Sequence, residues 1–295
     1  MKKFFYLALI MLTFALMGCG SDKKDDDTLK IVTSIYPIYL DTLNITRAVK
    51  GVEVVNLTPP QTGCLHDYQL TPEDMKTLET ADILVINGLG MESFLDKVKE
   101  TRPDLKIIDA SDTPDIVPIM ENGVPNPHVW LSITYAMEQV KNISSKLCEL
   151  DPAHVEAYKR HTLDYVDELT TLRDEMHISL DMLQTKEIVT FHEAFPYLAA
   201  EFNLKVAAVI EHEPGTEPTP QELAETIEKI NALPNKVIFT EPQYSSKAAE
   251  TIANETGAQI FELDPIVTGE AKPENLLDYV NRMLNNIMTL AKALQ

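Results

Sequence analysis

The sequence predicts an α/β protein of two doubly wound lobes with mostly parallel sheets, joined by one long backbone helix. Three observations carry that prediction. Short β-branched runs alternate with helical patterns, which is how parallel strands buried on both faces read. The runs fall into two sets, separated by residues 153–184, a stretch with no Gly or Pro. The 295 residues, 44% hydrophobic and 24% charged, suffice for about two ordinary globular domains.

In the first lobe, residues 29–150, strands are expected at 31–35, 52–57, 83–86 and 105–108. Asn87-Gly88-Leu89-Gly90 follows the third strand as a tight turn. It lacks the spacing of a dinucleotide fingerprint and reads as structural. In the second lobe, residues 186–295, strands are expected at 187–190, 205–210, 236–240 and 259–263, with helices near 194–202, 220–232 and 245–256. The connector, residues 151–185, opens with Asp151 placed to cap a helix and Pro152 at its first position. Tyr165, Leu169, Leu172, Met176, Leu180 and Leu183 recur at three- and four-residue steps and share one face. One helix over 153–184 would be a rod of about 48 Å. Two helices with a polar turn between them remain the alternative.

The first eighteen residues stand apart from the fold. Lys2 and Lys3 precede an apolar run over 4–17, too short to span a bilayer comfortably. The run ends in Leu16-Met17-Gly18-Cys19, which resembles the lipobox of bacterial lipoprotein signals. Residues 1–18 are then a signal peptide, Cys19 carries lipid, and the charged segment 19–28 is a tether. Several acyl chains together anchor stably, so an extracytoplasmic protein attached to the cell envelope is expected. The net charge of −21 argues against nucleic acid, which needs clustered Lys and Arg. Three cysteines cannot make a disulfide framework.

Seven histidines are present, and their positions relative to the strands separate them. His154, His161 and His177 fall among charged residues of the long helix and read as solvent-facing. His212 sits in an acidic loop. His66, His128 and His192 instead follow expected strands, and ligands of doubly wound sheets bind beyond the carboxyl ends of strands. Two imidazoles from one lobe and one from the other could converge on a cation such as Zn2+. Asp264, at the end of the last strand, could complete a tetrahedron. Its alternative is a turn-starting Asp before Pro265. Glu241 ends the neighbouring strand and could orient an imidazole. Cys64, two residues before His66, is either a further donor or a packed thiol, and the sequence leaves a Cys64–Cys148 disulfide open.

Six motifs in order resemble the metal-binding proteins of ABC importers for zinc and manganese, across nearly the whole mature chain. They are His66-Asp67-Tyr68-Gln69-Leu70-Thr71-Pro72, Asn126-Pro127-His128-Val129-Trp130-Leu131-Ser132, Phe191-His192-Glu193-Ala194-Phe195-Pro196-Tyr197-Leu198, Glu213-Pro214-Gly215 through Pro218-Thr219-Pro220, Glu241-Pro242-Gln243-Tyr244-Ser245 and Leu263-Asp264-Pro265. The resemblance implies a metal between two lobes, with His66, His128, His192 and Asp264 as ligands. It implies a monomer that passes the ion to a permease. His192 stands where manganese-selective members tend to carry a carboxylate, and three nitrogens favour Zn2+ over Mn2+. Against zinc, residues 67–127 lack the His-rich acidic loop of many zinc members. Since ligand imidazoles must be neutral, affinity is expected to fall below about pH 6.

Two other classes remain in view. An extracellular zinc hydrolase needs an open water position and a base. His192-Glu193 begins like a metalloprotease helix, but Pro196 occupies the position of the second ligand. A metal-dependent adhesin would use the ion only for folding.

Overall fold

Both sets of β-branched runs form parallel four-stranded sheets. The computed structural model describes residues 28–66, 68–211 and 218–295. The signal peptide, Cys19, His212 and most of the 213–220 motif lie outside the described residues. In the first lobe β1 (Leu29–Thr33), β2 (Val52–Asn56), β3 (Ile83–Ile86) and β4 (Lys106–Asp109) lie in the order β2-β1-β3-β4. The inner strand β3 is buried along its whole length, which is why its sequence is continuously apolar rather than alternating. Helices α1 (Tyr36–Thr46), α2 (Pro72–Glu79) and α3 (Leu95–Thr101) connect these strands. A hairpin of β5 (Met120–Glu121) and β6 (Val124–Pro125) follows, then a 3-10 turn over Val129–Leu131 and helix α4 (Ile133–Leu150).

The long connector is one helix, α5 (Val155–Leu180), about 39 Å long at 1.5 Å per residue. Tyr165, Leu169, Leu172, Met176 and Leu180 are all buried, as the periodicity predicts, but the helix ends at Leu180 rather than near 184 and leaves Leu183 outside it, half-buried. The helix starts later than expected. Asp151 does not cap it; its Oδ2 instead accepts from His154 Nδ1 and Tyr158 Oη, each at 2.6 Å. His161 also departs from expectation. It is buried, and its Nδ1 donates to the carbonyl of Ile45 at 3.1 Å, tying α5 to the end of α1.

The second lobe holds β7 (Glu187–Thr190), β8 (Lys205–Val209), β9 (Val237–Thr240) and β10 (Gln259–Glu262), in the order β10-β9-β7-β8. Its helices are α6 (Pro196–Glu201), α7 (Pro220–Asn231), α8 (Lys247–Thr256) and α9 (Asp278–Ala293). Helix α9 turns back and packs on α5 and α1. A set of hydrogen bonds joins the two halves. Trp130 Nε1 donates to the carbonyl of Pro265 at 2.8 Å, and Tyr279 Oη donates to the carbonyl of Trp130 at 2.6 Å. Asn126 Nδ2 donates to the carbonyl of Glu193 and Asn44 Nδ2 to that of Leu276, both at 2.8 Å. One rigid connector plus these bonds restrains opening of the lobes more than flexible strands would. No helix among the described residues is long and apolar enough to cross a membrane.

Candidate metal site

His192 is positioned by strand register. β7 and β9 run parallel with Thr190 opposite Phe239, so continuing both strands by two residues sets His192 beside Glu241. The outcome is a contact of 2.5 Å between His192 Nδ1 and Glu241 Oε1, both residues 2% exposed. A carboxylate only accepts, so Nδ1 carries the proton and Nε2 faces the other way, the orientation in which an imidazole could ligate a metal. The role expected for Glu241 is the one this geometry allows.

His128 is held from the first lobe. Asn87, just past the end of β3, donates from Nδ2 to the carbonyl of Pro127 at 2.9 Å. Asn126 Oδ1 lies 3.0 Å from His128 Nδ1 and also accepts from the backbone N–H of His128. Asn126 Nδ2 donates to Glu121 and to the carbonyl of Glu193, which fixes the amide so that Oδ1 is the acceptor. Here too Nδ1 is the donor and Nε2 is left for an ion. The Trp130 ring packs 5.3 Å from the His128 ring. Asn126 escaped the sequence reading; its place two residues before the histidine was the available signal.

His66 lies on the loop between β2 and α2. Buried Leu65 anchors it, and Ser93 Oγ donates to the Leu65 carbonyl at 3.1 Å. At the far end of the loop, Thr71 caps α2 in a reciprocal pair with Asp74. His66 itself is exposed. Ring centroids are 5.5 Å apart for His66 and His128, and 5.3 Å for His128 and His192.

The fourth position departs from expectation. Cys64 Sγ lies 3.2 Å from His128 Nε2 and 3.5 Å from His192 Nε2. The donor atoms of Cys64, His66 and His128 all lie within 4.8 Å of one another. Neither Asp264 nor His192 is in that group; His192 joins it through its 3.5 Å approach to Cys64 Sγ, whereas Asp264 is held elsewhere. Its Oδ1 accepts from the N–H of Ile266 at 2.7 Å, and its Oδ2 pairs with Arg282 at 3.1 Å. Strand order gives the reason: Asp264 follows β10, two strand spacings from β7, about 9–10 Å, and Glu241 occupies the strand end between them. Cys64 and Cys148 are both free thiols.

Electrostatics divide the donors. Burial raises the Cys64 thiol, but the His128 and His192 imidazoles outweigh it and hold the group well below its usual value. Burial keeps the His128 imidazole below its ordinary value. His192 is the opposite case. Burial disfavours its charge, yet Glu241 and Cys64 push it up to about 10. His192 thus lies between two groups, Glu241 and Cys64, that both favour its protonated form.

Residues 31–293 match the model of the family described as zinc-uptake complex component A, periplasmic. The chain belongs to that family. Among its curated relatives is the high-affinity zinc uptake system protein ZnuA of Bacillus subtilis, 30% identical, covering 98% of this chain and 96% of the relative. The iron-binding protein YfeA of Yersinia pestis is 31% identical over 96% of this chain and 91% of its own length. Among solved structures, the SBP FpvC of Pseudomonas aeruginosa in complex with Mn2+ superposes with a TM-score of 0.81 at 33% identity. That likeness covers 91% of this chain and 98% of FpvC. Family membership fixes the two-lobed architecture; the names of these relatives span zinc, iron and manganese.

Proposed function

We propose that this protein is the extracytoplasmic receptor of an ABC-type importer, with Zn2+ as its cargo. The reading rests on one observation: imidazole nitrogens from both lobes converge, two of them oriented by acceptors on their far nitrogens. His66, His128 and His192 supply three neutral nitrogens, a set suited to Zn2+ and less to the oxygen-preferring Mn2+. Mn2+ is the second reading, favoured by the likeness to a manganese-bound structure. The receptor acts as a monomer, tethered by lipid on Cys19, and yields the ion to a membrane permease. It performs no chemistry on its cargo, and a site closed by protein donors leaves no water position for hydrolysis.

Competition between Zn2+ and Mn2+, followed by elemental analysis of the purified protein, tests the reading. His66→Ala or His192→Ala should lower zinc affinity by about 100-fold or more. His161→Ala should leave affinity unchanged while lowering stability, since it releases the buried Ile45 carbonyl. Equal affinity in all three variants would exclude this ligand assignment, and a preference for Mn2+ would turn the reading to the second metal.

A further inference from the structure

We infer that the thiolate of Cys64, rather than the carboxylate of Asp264, is the fourth donor, making a three-nitrogen, one-sulfur site. The inference deepens the receptor reading and rests on it. Geometry carries it. With Zn–N of 2.0–2.1 Å and Zn–S of 2.3 Å, a zinc tetrahedron has N–S edges of about 3.6 Å. Cys64 Sγ stands 3.2 and 3.5 Å from the two Nε2 atoms, close to those edges, and on the face of each ring turned away from its Asn126 or Glu241 partner. The loop is built to bring it there. Gly63 passes so near Tyr244 that a Cβ would meet Tyr244 Oη at 2.7 Å, so the backbone before Cys64 lies directly against the second lobe.

Asp264 lacks the freedom to compete. Both of its oxygens have partners on its own side of the sheet, one backbone N–H and one guanidinium. Recruiting it means breaking the pair with Arg282 and crossing the end of β9. Sulfur also changes which cations the pocket takes. Thiolate is a soft donor that favours Zn2+ and disfavours Mn2+, whereas a carboxylate would narrow that gap.

Cobalt replaces zinc in such sites and reports its donors optically. The full chain loaded with Co2+ should show a sulfur-to-cobalt charge-transfer band in the near ultraviolet with tetrahedral visible bands. Asp264→Asn should retain the band. Cys64→Ser should lose it while still binding cobalt through three imidazoles, with zinc affinity reduced about 100-fold and the preference for zinc over manganese reduced at least about 10-fold. Zinc should also shield the Cys64 peptide from alkylation, read by mass spectrometry in the unmutated chain. A cobalt complex without the sulfur band, or zinc binding lowered by Asp264→Asn and untouched by Cys64→Ser, overturns the inference and leaves the receptor standing. Failure to bind either metal overturns both.

Discussion

His192 Nδ1 meets Glu241 Oε1 at 2.5 Å inside a pocket where both residues are almost wholly buried. The contact follows from the register of two parallel strands, and it does two things. It turns Nε2 toward Cys64, and it favours the charged form of the ring.

The first consequence is for affinity. Glu241→Gln leaves volume nearly constant but exchanges the carboxylate for a neutral amide. Zinc affinity should fall about 10- to 100-fold, the usual effect of losing the partner behind a metal-bound imidazole. Titration calorimetry checks this, with circular dichroism to confirm the fold. An unchanged affinity would mean that packing against Tyr244, 5.5 Å away between ring centroids, suffices to orient His192.

Proton release is the second. At neutral pH the metal-free pocket has His192 protonated, since its value lies near 10, while the Cys64 thiol is held low and His128 is held neutral. Loading one ion should therefore expel about one proton, and log affinity should rise by about one per pH unit through neutrality. The dependence should extend well above the limit near pH 6 that unperturbed imidazoles suggest. Calorimetry in buffers of different ionisation enthalpy measures it; no proton released at pH 7 would contradict the assignment. In Glu241→Gln the dependence should shift downward in pH.

Trp130 gives a prediction about the seam between the halves. Its indole N–H satisfies the carbonyl of buried Pro265 at 2.8 Å. Trp130→Phe removes the donor and strands that carbonyl, which should lower stability by about 1–3 kcal/mol in urea unfolding. A difference below about 0.5 kcal/mol, the range of ordinary surface changes, would show that the seam does not depend on this bond.

Glu92 predicts a pH dependence of stability. It is buried beneath the Asn87-Gly88 turn, where Oε1 accepts from Ser34 Oγ and the Asn87 N–H and Oε2 from the Gly88 N–H. Burial raises it to about 7 despite those donors. A raised folded value means the fold binds the proton more tightly than the unfolded chain. This contribution is thus fully present below about pH 4.5 and is lost as pH rises through about 7, on the order of 3 kcal/mol. Melting curves should show Glu92→Gln losing less stability than the parent between about pH 5 and pH 8. Parallel curves for the two proteins would refute this.

How much of this was legible depended on whether the signal was local. The strand at 83–86 was readable to the residue because it is a short apolar run with abrupt polar ends, and that at 187–190 because β-branched residues follow the end of the helical pattern. The long helix was readable from its buried stripe, but not its first turn, because the side-chain donors of His154 and Tyr158 occupy the Asp151 carboxylate that would have capped it. His161 read as solvent-facing from its charged neighbours, yet the end of α1 covers it. Asp264 illustrates the larger limit. That it ends a strand is a local fact; that β9 lies between that strand and β7 is topology, which the residues do not spell out. Cys64 carried a usable hint in its place two residues before His66, which was already a candidate.

The proposed donors differ in one respect with consequences for unloading: His66 is open to solvent, while His128 and His192 are sealed in the interior. Water, chelators and any loop of the importer therefore meet the cargo from one direction. Under the proposed assignment, departure of the ion should begin at that doorway, with the sequestered rings the last to let go.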